Sequence, residues 1–310
     1  MGTSLFQSYI AVDWSAAARP TRGRDSIWIA AVARDARGRP RRTHLENPST
    51  RQAATERLVE LAAARLDRGH RVLIGFDFPF GYPAGTAAAL GLAGGLEWRK
   101  LWARIDALLQ DAPDNANNRF EVGAALNQAL TGEAFPFWAH DGARDRPLLA
   151  RRGRRPHGPD DLAERRLVER RAPRTQPVWK LAGAGAVGSQ ALTGIPRVWR
   201  IRTDPALAFA CQVWPFETGL TEAPAGDLIL AELYPSLVAP DAIEGLPKDA
   251  GQVSAVAKAL ARLDAAGRLG PLFAGDPTLD AAERATVERE EAWILGVTDR
   301  PALAETAEAA

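Results

Sequence analysis

Four carboxylates occupy positions where a charge is costly unless something compensates it. Asp13 closes the apolar run Tyr9-Ile-Ala-Val12, and Asp77 closes Val72-Leu-Ile-Gly-Phe76 in the same way. Glu232 lies inside Leu228-Ile-Leu-Ala-Glu-Leu-Tyr-Pro235, and Asp249 stands at the head of a helical pattern. An acid beside four or five buried apolar residues must be paired, metal-bound or at a rim. Such hard oxygen donors suit Mg2+ or Mn2+, which accept carboxylates and water. Two ions about 3.5–4 Å apart activate a water and stabilise the leaving oxygen of a phosphodiester. Each acid also has a plainer role open to it. Asp13 and Asp77 are ordinary turn formers at strand ends. Glu232 can pair with an arginine from the middle of the chain, and Asp249 can cap its helix in a box with Gln252. Glu217, after Val213-Trp-Pro-Phe216, is a weaker member of the acidic set.

Polar residues that could hold a substrate cluster in two places. Ser15 follows Asp13 and Trp14 at a strand end, and Trp14 offers a stacking surface. The stretch Gly183-Ala-Gly-Ala-Val-Gly188 fits the spacing G-x-G-x-x-G, with Asp204 where a dinucleotide fingerprint expects an acid. Gly194 and Pro196 are expected to stop any helix there within two turns. Lys180 to Pro196 therefore reads as a substrate loop, with Lys180, Ser189 and Gln190 as polar contacts, or as a purely structural loop. Residues 141–175 carry eleven arginines against six acids. They either grip phosphates by releasing counterions or form a solvated face, and little contribution to core packing is expected of them.

Composition narrows the classes. The 310 residues are 46% hydrophobic and 25% charged, which excludes wholesale disorder. The 39 basic and 38 acidic residues leave a net charge of +1, so a globally basic nucleic-acid binder is excluded but a local basic groove is not. One cysteine, Cys211, excludes a disulfide framework and a cysteine zinc site. The histidines at 44, 70, 140 and 157 show no metal-ligand spacing. No apolar run has membrane-spanning length and no secretory signal pattern opens the chain, so a cytoplasmic protein without a membrane partner is expected. The partner expected is nucleic acid or a phosphorylated small molecule.

The elements that must position these residues follow from periodicity. Residues 8–14, 26–33 and 41–46 read as three strands joined by short turns, an antiparallel meander. Thr50 to Arg68 has helical spacing, with Gly69 as its stop, and Val72 to Phe76 is a fourth strand. Helices are expected over 97–109, 119–130, 249–266 and 280–295, and strands over 209–216 and 228–234. The order implies an α/β fold with a mixed five-stranded sheet flanked by helices. Strands 1 and 4 are parallel neighbours in it, and ligands bind outside the carboxyl ends of such strands. The expected division is a core of 1–83 and 205–300, a large helical and loop insertion over 84–204, and an Ala/Glu-rich tail at 301–310.

Tyr9-Ile-Ala-Val-Asp-Trp-Ser15, Ile74-Gly-Phe-Asp-Phe-Pro-Phe-Gly-Tyr-Pro83, Glu232-Leu-Tyr-Pro235 and Lys248-Asp249 together resemble the DUF429 family. The likeness covers about 1–83 and 205–265, and the small-residue segment 185–196 resembles a loop of that family. It implies a ribonuclease H-like fold and a metal-dependent nuclease or phosphoesterase. Carried over, Asp13, Asp77 and Asp249 hold Mg2+ or Mn2+, with Glu232 as a further catalytic acid. Two rival readings stand beside it: a sugar-kinase-like enzyme on the same core, and a non-catalytic binding protein.

Overall fold

The central strands are apolar on both faces because helices cover both. A computed structural model of the chain describes residues 4–35, 38–172 and 174–298. The expected tail at 301–310 lies outside them. Strands β1 (Ser8–Asp13), β2 (Trp28–Arg34) and β3 (Pro40–Glu46) form the antiparallel meander, followed by helix α1 (Arg51–Leu66) and strand β4 (Val72–Phe76). The first four residues of β4 and β1 alike are buried, as strands covered on both faces must be. β3 forms one edge, and its charged residues Arg41 and Arg42 are exposed. Thr50 caps α1 by accepting a hydrogen bond from the Ala53 N–H at 3.2 Å.

Further along come short α2 (Thr86–Ala89), then α3 (Glu97–Leu108), α4 (Arg119–Leu130), α5 (Leu167–Arg171) and α6 (Val187–Thr203). Strands β5 (Cys211–Val213) and β6 (Leu228–Glu232) precede α7 (Lys248–Ala265), α8 (Gly270–Phe273) and α9 (Ala281–Thr286). The sheet has six strands in the order β3-β2-β1-β4-β6-β5, with β1, β4, β6 and β5 parallel. The five-stranded expectation is corrected by β5, a three-residue strand at the edge beyond β6.

Two apolar layers sandwich the sheet. One packs Val12, Ile74 and Phe76 against α1, α3 and α6. The other packs Tyr9, Ala11 and Ala231 against α7 and the C-terminal segment. Residues 84–204 build much of the first layer rather than standing apart from it. Asp111 ties this region to the core by pairing with Arg51 of α1 at 2.5 Å and with Arg197 of α6 at 2.7 Å. Val168, Ala172 and Arg166 are fully buried, so the arginine-dense stretch does contribute to packing, against expectation.

The largest departure from the sequence reading is α6, which runs through both Gly194 and Pro196. Leu192, Ile195, Val198 and Ile201 are buried along it. Gly194 is required there, because a Cβ would lie 2.3 Å from the Phe78 ring. The burial of this face outweighs the helix penalties of glycine and proline. The glycine-rich stretch thus does open a helix. Among the described residues the element directly before it is helix α5 and not a strand, so the dinucleotide reading fails on that ground instead.

Candidate active site

Register brings the two strand-end acids together. Val12 of β1 pairs with Phe76 of β4, so Asp13 and Asp77 leave adjacent parallel strands at the same level. Their carboxyl groups face each other closely enough to interact. Burial and the neighbouring Asp77, Asp249 and Asp25 hold the Asp13 carboxyl well above the usual range. Burial raises Asp77 to about 6, although hydrogen bonds from Asp13, the Trp14 N–H and Gln190 work in the other direction. The Trp14 amide donates to Asp77 Oδ1 at 2.7 Å, which fixes the carboxylate against the backbone of β1. Gln190 of α6 donates to the Trp14 carbonyl at 2.7 Å and reaches Asp77 Oδ2 at 3.3 Å.

Asp249 joins this group from α7. It lies in the first turn, after Pro247 at the N-cap, so the expected Asp249–Gln252 capping box does not form. Gln252 instead donates to the carbonyls of Pro235 and Val238. Asp249 Oδ2 accepts the backbone N–H of Asp25 at 2.9 Å. Asp25 is a site residue that sequence reasoning missed. It sits in an exposed Gly-Arg-Asp turn with φ of 55°, and its only signal was that turn chemistry.

Two cavities meet at Asp13, Gln190 and Asp249. The smaller, about 280 Å³, is bordered by Asp77, Arg166, Glu232 and Lys248 as well. The larger, about 640 Å³, is bordered by Trp14, Ser15, Asp25, Arg119, Asp141 and Ser189. Arg119 and Asp141 also escaped sequence reasoning, because nothing local distinguished them from other charged residues. No family model, no curated protein and no solved structure matches the chain.

The remaining expected residues divide. Ser15 borders the larger cavity and donates to the Asp25 carbonyl at 3.1 Å. Ser189 is buried there, donating to the Leu181 carbonyl at 2.5 Å and accepting from Arg119 Nε at 3.0 Å. Lys180 is not brought to either cavity. Its ammonium folds back on the Ala184 carbonyl of its own loop at 2.5 Å and lies 5.5 Å from the Trp138 ring. Glu217 pairs with Arg202 at 2.7 Å and stands outside the acidic group.

Glu232 borders the smaller cavity, but its carboxylate is already engaged. It is level with Phe76 in the β4–β6 register, one residue before the level of Asp13 and Asp77. Strand alternation therefore turns it toward the opposite face. There Arg166 grips both oxygens at 2.6 and 2.8 Å, and the Phe80 amide donates at 3.0 Å. Arg166 also pairs with Glu169 at 2.9 Å. This is the salt bridge to a mid-chain arginine, in place of a free catalytic acid.

Carboxylates and amide oxygens are the donors available around Asp13, a set that fits a hard divalent cation with water completing its shell. The raised pKa values of Asp13 and Asp77 reflect buried negative charge that such a cation would relieve. Among the described residues no group of three or more His, Cys, Asp or Glu side chains is already assembled to hold a metal. A site here would rest on two carboxylates directly. No helix of the described residues is long and apolar enough to cross a membrane.

Proposed function

We propose that the protein is a divalent-metal-dependent phosphoryl-transfer enzyme of the ribonuclease H-like class, a nuclease or phosphoesterase. The observation that carries this reading is the placement of Asp13 and Asp77 side by side at the matched ends of parallel β1 and β4. Mg2+ or Mn2+ would be held by those two acids, with Asp249 on the rim of the same cavities. The bound ion would supply a water nucleophile and neutralise charge on the leaving oxygen. In this reading Trp14 and Gln190 fix the orientation of Asp77, and the Asp25 amide fixes Asp249. Glu232 serves as the buried partner of Arg166, outside the chemistry.

One observation favours a second reading. The glycine-rich stretch before α6 borders the larger cavity at Gly183 and Ala186, which suits a nucleotide-binding enzyme of sugar-kinase-like type. Hydrolysis assays with Mg2+ or Mn2+ on oligonucleotides, nucleotides and a chromogenic phosphodiester test the leading reading. Activity with metal that vanishes in Asp13→Asn supports it. Thermal stabilisation by ATP with no response to metal alone would favour the second.

A further inference from the structure

Arg119 makes no close ion pair among the described residues, although Asp141 and Glu121 act on its charge from nearby. Its Nε donates to Ser189 Oγ at 3.0 Å and its Nη1 to Asn117 Oδ1 at 2.9 Å, both neutral groups. The guanidinium lies 4.3 Å from the Phe120 ring, and its Nη2 has no hydrogen-bond partner among the described residues. No carboxylate among them pairs with it. It borders the larger cavity, as does the start of α6 at Ala186 and Ser189. That seventeen-residue helix has no capping side chain and no acidic residue in its first turn. Two amides of its first turn are already engaged, Gly188 with the Lys180 carbonyl and Ser189 with the Ala186 carbonyl, each at 3.1 Å, so the helix brings its dipole to this space more than free donors.

Six arginines from the middle of the chain are committed elsewhere, while Arg151 and Arg152 are exposed. Arg144 and Arg146 pair with Glu121, Arg154 with Glu164, Arg155 with Asp161, Arg166 with Glu232 and Arg171 with Asp276. The paired ones are withdrawn from any track for a run of phosphates. Asp13, Asp25, Asp141 and Asp249 border the larger cavity and would repel a polyanion. One anionic group beside Arg119 is what the charges accommodate.

We propose that the larger cavity is an anion subsite for one phosphoryl group of a small phosphorylated substrate, with Arg119 as its donor and the dipole of α6 beside it. This deepens the reading above and rests on it for the chemistry that follows binding. Arg119 stays charged at neutral pH, although burial and the nearby Arg51 lower its pKa to about 10. Its bonds to Ser189 and Asn117 hold the guanidinium in place, so little freedom is lost on binding.

Calorimetric titration of the full chain with inorganic phosphate, without metal and then with Mn2+, tests the subsite. Wild type is expected to bind phosphate, and Arg119→Gln to bind it at least about tenfold more weakly, as the loss of a charged hydrogen bond implies. Arg119→Lys should retain binding within about threefold of wild type, because the charge remains. Ala186→Asp provides a second variant in case Arg119→Gln fails to fold. It supplies an N-cap that α6 lacks, which favours folding, while placing a competing carboxylate in the subsite, and phosphate binding should fall similarly. Phosphate binding that persists when Mn2+ has no effect supports the subsite while removing the metal reading. Wild type that ignores phosphate, or folded Arg119→Gln and Ala186→Asp proteins that bind it like wild type, overturns the proposal. A twenty-nucleotide single strand that binds more than tenfold tighter than phosphate, with steep salt dependence, overturns the small-substrate assignment.

Discussion

Two acidic groups lie one residue apart in register and have opposite fates. Glu232 and Glu169 are buried with Arg166 between them, and their hydrogen bonds come from that guanidinium and from backbone amides. Asp13 and Asp77 have no basic partner among the described residues, and burial pushes both carboxyls up instead. The first group is compensated and ties α5 to β6. The second is left frustrated at the rim of two cavities, and a carboxylate pair that repels itself binds whatever cation or proton relieves it. Unpaired charge, more than acidity or burial alone, separates the functional candidate from the structural one.

Breaking the compensated group should have the largest effect. Arg166→Met leaves Glu232 and Glu169 buried without a countercharge, and should destabilise the protein by about 3–5 kcal/mol. Urea melts measure it, and a loss below about 1 kcal/mol would mean that water or the backbone already compensates those acids.

Relieving the frustrated group should act in the opposite direction and more weakly. Asn at position 13 keeps a donor for Asp77 and removes one charge. Metal-free Asp13→Asn is therefore expected to gain on the order of 1–2 kcal/mol near pH 8. The pH dependence follows from the direction of the shifts. Both acids have folded pKa values raised above the ordinary carboxylate range, with Asp77 near 6. Their contribution to stability is fully present below about pH 4 and is lost as pH rises through the folded values. The gain in Asp13→Asn should accordingly shrink as the pH falls from 8 toward 4, as thermal melts across that range will read. A mutant that melts below wild type at pH 8 would assign Asp13 a structural role.

Lys180 gives the smallest effect. It lies outside both cavities, so Lys180→Ala should change stability by about 0.5 kcal/mol or less and leave any hydrolase activity intact. A large loss of activity would return Lys180 to the site.

The sequence showed the acid pair because its signal is local: an apolar run ending in an acid, twice, in an order that makes the two strands neighbours. It also showed the meander, α1 and β4, whose periodicity and caps agree with their tertiary setting. Helix α6 was hidden because Gly194 and Pro196 oppose a helix locally. Only Phe78, more than a hundred residues earlier in the chain, explains the glycine. Glu232 was ambiguous for a related reason. Its composition matched that of a site acid, and only the register with Phe76 and the arrival of Arg166 decided its role. Asp25 contributes a backbone amide to Asp249 across 224 residues of chain, and such a contact leaves no trace in residue type.

Calorimetric titration of Mn2+ into wild type and Asp13→Asn at pH 7.5 tests the central claim, that the frustrated acid pair is a divalent-metal site. Wild type should bind the ion and release protons as it does so, because the metal displaces protons that the raised Asp13 carboxyl retains. Release is read from the change in heat between two buffers of different ionisation enthalpy. Asp13→Asn should show neither binding nor release at these positions. Equal Mn2+ binding by both proteins, or none by wild type, would contradict the account.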